Sequence, residues 1–340
     1  MELANRMALA VGVLCAAQTC FAGPHPNIPQ MVHDSTLIVI ANVGQVKYVG
    51  PTQTVLNGRV FSGGKYEAEA VALYSLKGSS PGQFTIEFAA PDGFQDYRSV
   101  ELGTRMIFLK NTASVYVPTT PYYPDFPAVP SPPPELQGRT VVEQVFAELG
   151  AVVASADASS ADREYVLMFS FAIPKDNKLF LRDLVIGAQN SPDPSVHWWI
   201  EAELINRNDV SQFPEVCNAV SSGTLPADQQ SMVLYAIGTR LTNPKALPEL
   251  TRLVSAPEPQ VRAAAVEAVG HVSSSSSLNL LAQALHDPDS QVRYYAIRGL
   301  DDITGQPGWG PGPSEYEEHG DKYLQHWLDW ASDNLPQPKH

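Results

Sequence analysis

Residues 243–304 read NPKALPELTRLVSAPEPQVRAAAVEAVGHVSSSSSLNLLAQALHDPDSQVRYYAIRGLDDIT, and this stretch contains one pattern twice. A shift of 31 residues superposes Leu247 on Leu278, Leu250 on Leu281, Val261 on Val292, Arg262 on Arg293 and Ala265 on Ala296. Within each copy the apolar residues recur at three- and four-residue spacing, which is the period of a helix face. Two helices joined by a Pro/Asp turn cannot bury such faces alone, so copies must stack on one another.

The pattern continues in both directions. Upstream, Val196-His197-Trp198-Trp199-Ile200 aligns with Val292-Arg293-Tyr294-Tyr295-Ala296, behind the turn Ser191-Pro192-Asp193-Pro194. A more degenerate copy lies between, with Phe213 to Val216 opening one helix and Ser231 to Leu241 forming its partner. Four helix pairs are thus expected from about residue 178 to 305. Downstream, Gln306–Pro313 is a Gly/Pro turn around Trp309, followed by a helix over 315–333 that sets Tyr323, Trp327 and Trp330 at i, i+4 and i+7. A stack of helix pairs leaves a last apolar face open, so residues 306–333 are expected to cap it.

The turn-plus-helix motif Asp287-Pro288-Asp289-Ser290-Gln291-Val292-Arg293, with Ala296 and Leu300 following, resembles HEAT and phycobilisome-lyase-like helical repeats. The resemblance covers residues 178–305 and, with the helical period that begins at Thr140, implies an α-solenoid over residues 140–305. It implies a protein or peptide as partner, and Arg262 and Arg293 reaching carboxylates of the neighbouring turns. It also implies that the second helices line a concave face. One row there would run Trp198, Ser231, Ala263, Tyr294, with Arg298 one turn beyond. Trp198, Tyr294 and Arg298 are therefore the candidate binding residues, since aromatic and arginine side chains are the usual anchors of binding surfaces. The competing reading has Trp198-Trp199 and Tyr294-Tyr295 packing between repeats.

Residues 28–117 carry a different signature. The runs TLIVIANV, KYEAEAVALYSL, FTIEFAA and TRMIFLKN are rich in β-branched and aromatic residues and are separated by Gly, Pro, Asn and Asp. A small β-barrel with a short helix near Ile28 to Val32 is expected. The order of Ser35 to Val39, a long strand ending in Leu76-Lys77-Gly78, and Met106 to Leu109 resembles the OB-fold domains of tissue-inhibitor-of-metalloprotease and netrin type. The inhibitors of that family place an N-terminal cysteine over a metal. No cysteine occupies that position here, so the resemblance supports an OB-like fold more than protease inhibition. Between the halves, residues 118–135 hold eight prolines with Tyr122, Tyr123 and Phe126 among them, an extended strap expected to lack regular structure.

The 340 residues are 44% hydrophobic, which excludes a disordered chain. There are 22 basic and 36 acidic residues, a formal net charge of −14. Residues 23–130 carry seven basic and eight acidic side chains, so the excess lies in the helical half. That field disfavours nucleic acid and anionic lipid, both of which are bound through basic contacts. Residues 1–22 read as a signal peptide: Arg6, the apolar run Met7 to Ala17, and small residues at Cys20 and Ala22 before Gly23. No later run is long enough to span a bilayer, and neither Cys15 nor Cys20 follows a lipobox, so a soluble periplasmic or extracellular protein is expected. Cys217 would then remain alone, a buried apolar residue in an amphipathic helix.

No G-x-S-x-G, phosphate loop, H-E-x-x-H or Cys-x-x-Cys occurs. His319 and His326 are seven apart on an acidic helix, which favours a solvated face over a metal site. Acids at Asp287, Asp289, Asp301 and Asp302 fall at turns and helix ends, where local reasons place them. No cofactor, no metal and no catalytic residue is expected. The leading expectation is an exported, non-enzymatic interaction or scaffold module. The alternatives are an enzyme or chromophore-handling factor of the lyase-like group, and protease inhibition through the β domain.

Overall fold

A computed structural model describes residues 25–56, 59–79, 82–92, 99–112 and 115–335. The expected signal peptide lies outside them. The chain divides into two compact units between Val196 and His197.

The first unit begins with helix α1, Ile28–Asp34, whose Ile28, Met31 and Val32 are buried as expected. Strands β1 (Leu37–Leu56), β2 (Arg59–Lys77), β3 (Gln83–Pro91), β4 (Gly103–Thr112), β5 (Val115–Pro118) and β6 (Asp125–Pro127) follow. Strand β1 pairs antiparallel with both β2 and β4. A single parallel pairing, Ile86 with Tyr116, joins β3 to β5, and β5 returns to β4. The six strands therefore form a partial ring. Alternation decides its inside: in Glu67-Ala68-Glu69-Ala70 the alanines are buried, while Glu69 turns out to meet Lys47 at 2.5 Å. Val39, Ala41, Ile86, Ile107 and Leu109 complete the interior.

The proline strap departs from expectation. Residues 125–127 form β6, pairing antiparallel with Arg105, Met106 and Ile107 of β4. Proline withholds only its own N–H, and a three-residue edge strand needs few donors. Burial supplies the drive, because Phe126 is fully enclosed and its ring meets Phe108, Tyr165 and Phe169 edge-on.

Helices α2 (Val141–Ala154), α3 (Ser160–Met168) and α4 (Lys178–Asn190) belong to the same unit. Thr140 and Glu143 form a capping box that starts α2, and buried Arg163 of α3 donates to the carbonyls of Val153 and Ser155 at its end. That places a cation where the helix dipole is negative. Glu148 of α2 has no solvent exposure. Its Oε1 accepts the Val129 N–H at 2.8 Å and its Oε2 accepts the Tyr74 hydroxyl at 2.9 Å, so one carboxyl ties helix, strap and β2 together.

Helix α5, Pro194–Asn206, runs across the boundary into the second unit. There the pairs are α6 (Phe213–Ser222) with α7 (Ala227–Arg240), α8 (Leu247–Leu253) with α9 (Pro259–Val272), and α10 (Ser275–Ala284) with α11 (Ser290–Thr304). The second helices α7, α9 and α11 pack side by side. Small residues permit this: a methyl group on Gly270 would lie 2.9 Å from the Gly299 Cα, and Val261, Ala265, Ala268 and Val269 are all fully buried. One continuous core runs from Ala202 to Trp327. Cys217 sits inside it, and burial pushes its thiol up to about 12, out of reactive range.

Helix α12, Pro313–Asn334, packs on α11 with Tyr316, Tyr323 and Trp327 buried. Trp327 Nε1 donates to the Trp309 carbonyl at 2.9 Å, and the His326 ring stacks on Trp309 at 3.6 Å.

Candidate binding pocket in the helical repeats

Helices α9 and α11 are offset copies, so residues 31 apart occupy equivalent places: Ala263 with Tyr294, and Glu267 with Arg298. The alanine-rich start of α9 leaves room for the tyrosines of α11. A pocket of about 350 Å³ results, lined by Glu267, His271, Tyr294, Tyr295, Arg298 and Asp302. Pro313, at the start of α12, also borders it.

Each wall has its own anchorage. Tyr294 is only 5% exposed and its ring lies 5.2 Å from that of Tyr316 and 5.5 Å from that of Tyr295. Burial pushes the Tyr295 hydroxyl up to about 12. Arg298 Nη1 donates to the Gly310 carbonyl at 3.1 Å, and its Nη2 is 3.8 Å from Asp302. The guanidinium is therefore partnered within the fold.

Glu267 is not. Burial alone acts on its carboxyl, pushing it up to about 7, and among the described residues no hydrogen bond or ion pair offsets that cost. Its Oε2 lies over Gly238 of α7, where a methyl group would come within 2.5 Å. Glycine at 238 is what admits a carboxylate between the two helices.

Of the residues named from sequence, Tyr294 and Arg298 meet in this pocket. Trp198 does not line it: on α5 it is partly buried against the core, its ring edge-on to His197 at 4.6 Å. Between them, Ser231 is exposed and donates to the Ala227 carbonyl, while Ala263 is buried. Glu267 escaped sequence reading. Its signal was an acid between Val266 and Ala268 in an otherwise apolar face.

The arginine motif is half corrected. Arg262 does grip a carboxylate, with Nε and Nη2 at 2.7 and 2.9 Å from the two oxygens of Asp287. Arg293 instead donates to the main-chain carbonyls of Asp287 and Pro288 at 2.6 and 2.9 Å. Arg262 makes the equivalent bonds in its own turn, Nη1 donating to the Ala256 and Pro257 carbonyls at 2.9 and 2.8 Å, so the two arginines differ in the reach to a neighbouring carboxylate. Among the described residues no group of histidine, cysteine or acid side chains could hold a metal, and no helix is long and apolar enough to cross a membrane.

A family model for HEAT repeats matches residues 214–301, which run from α6 into α11. The match lies within a helical repeat region in the C-terminal half. The pocket is thus built from the last two helix pairs of that region and the start of α12. HEAT repeats commonly mediate protein interaction and scaffolding. No curated protein matches the chain significantly.

Proposed function

We propose that this protein is an exported, non-enzymatic interaction module whose HEAT repeats hold a protein or peptide. The observation that carries the reading is the pocket formed where α9, α11 and α12 meet, because it joins tyrosine and arginine anchors with a carboxylate that lacks a partner. Export rests on the pattern of residues 1–22, and a soluble chain outside the cytoplasm would meet its partner there. The acidic field of the helical half favours a protein over nucleic acid.

Crosslinking the full chain in its native compartment tests the reading. Recovery of a protein that is lost on Arg298→Ala, with the melting temperature retained, supports it. Recovery of no crosslinked protein overturns it. Cell fractionation and N-terminal sequencing test export, for which a mature chain beginning at Gly23 is expected.

A further inference from the structure

We propose that the pocket receives a basic side chain, lysine or arginine, from the partner protein, and that Glu267 is its counter-ion. The inference rests on the interaction reading above and names the chemistry of the partner. Size comes first. At about 350 Å³ the pocket lies at the small end of the roughly 300–1,000 Å³ range of ligand sites and has room for a lysine or arginine side chain.

Charge gives the sign. Arg298 is engaged within the fold by the Gly310 carbonyl at 3.1 Å and has Asp302 at 3.8 Å as a counter-charge. Glu267 has neither donor nor cation, and a half-desolvated carboxylate gains most from a charge-assisted hydrogen bond. The polar group that awaits a partner is therefore the acid. Tyr294 and Tyr295 stand beside it, and aromatic faces attract ammonium and guanidinium groups. The surroundings agree, since residues 197–340 carry eighteen acidic and nine basic side chains, a field that draws a basic partner toward this unit.

Geometry within the same chain shows the contrast. Glu148, the fully buried glutamate of the first unit, has both carboxyl oxygens engaged, whereas Glu267 is half-buried at the pocket wall. Nothing at Glu148 remains for a ligand. At Glu267 the fold supplies a glycine seat and open space in place of donors.

The test uses the full mature chain and fluorescently labelled, end-blocked Gly/Ser nonapeptides with one central residue, read by anisotropy at about 0.15 M salt to screen diffuse attraction. Peptides with central lysine or arginine should bind at least about tenfold more tightly than those with norleucine or glutamate. Glu267→Gln should abolish that preference while the chain keeps its melting transition. If that variant fails to fold, Glu267→Asp, which withdraws the carboxylate by one methylene, should cut the preference several-fold. Equal binding of lysine and norleucine peptides, a preference for glutamate, or a lysine preference untouched by Glu267→Gln would overturn the proposal. The two readings fail separately. A native crosslinked partner whose capture ignores Glu267→Gln sinks the counter-ion role and leaves the interaction module standing, whereas absence of any native partner removes the module.

Discussion

Glu148 and Glu267 are the same residue type, each on a helix that faces the interior, and burial pushes both carboxyls up to about 7. In the first unit Glu148 is completed by the Val129 N–H and the Tyr74 hydroxyl. In the second, Glu267 meets a glycine and an open pocket. A buried acid with its bonds made serves as a structural tie; a half-buried one at a pocket wall, without a partner among the described residues, is open to a ligand.

The largest expected effect tests whether the pocket wall is also core. Tyr294→Ala removes a nearly buried ring packed on Tyr316 and should destabilise the second unit by about 3 kcal/mol in urea unfolding. An unchanged midpoint would make Tyr294 a free binding residue. Trp198→Ala, only partly buried, should cost less than Tyr294→Ala in the same assay.

Next comes the structural tie. Glu148→Ala orphans the Val129 N–H, leaves the Tyr74 hydroxyl with only the Val129 carbonyl at 3.1 Å, and should cost about 2 kcal/mol. Glu267→Ala breaks no bond inside the fold, so its unfolding midpoint should move much less. Equal losses at the two positions would erase the distinction drawn here.

The pH dependence should be shared by both units. Glu148 and Glu267 near 7, and Glu201, which burial and then the charges of Glu215 and Asp209 push up to about 8, bind protons more tightly folded than unfolded. Raised carboxyls contribute stability when protonated, and that contribution is lost as pH rises through the folded values. The melting temperature should therefore fall between about pH 5 and 8, each group accounting for on the order of 2 kcal/mol after screening. Glu148→Gln and Glu267→Gln should each flatten the thermal profile. A melting temperature that climbs over this range would contradict these burial assignments.

The smallest effect concerns the repeat motif. Arg262→Ala breaks the pair with Asp287 together with the bonds to the Ala256 and Pro257 carbonyls, so the ion-pair part of its cost, about 1 kcal/mol, should be reduced by salt. Arg293→Ala breaks hydrogen bonds to carbonyls, so its cost should vary little with salt. Thermal melts at low and high ionic strength separate the two.

These contrasts mark how far the chain could be read by eye. The helix pairs, their turns, the aromatics of the last helix and the strands over 37–43, 65–76, 84–90 and 104–111 follow from periods and punctuation within short windows. The strand at Asp125–Pro127 was hidden by its prolines, because its reason to exist is the burial of Phe126 against Phe108 and α3. Glu148 likewise carries no mark in its local sequence; its burial comes from β2 and the strap, which are distant in the chain.

The candidate site divides the same way. Tyr294 and Arg298 were legible because the repeat aligns them with other copies, whereas Glu267 was passed over and Trp198 proved to lie apart from the pocket. By itself the sequence determined the architecture, a β-rich first part followed by a ladder of helix pairs, since helical and strand periods are local properties of the backbone. Only the tertiary structure decided which charges are partnered. That depends on how helices 31 residues apart come into register, on the glycine at 238 that admits a carboxylate, and on where α12 turns back, none of which any single window of sequence contains.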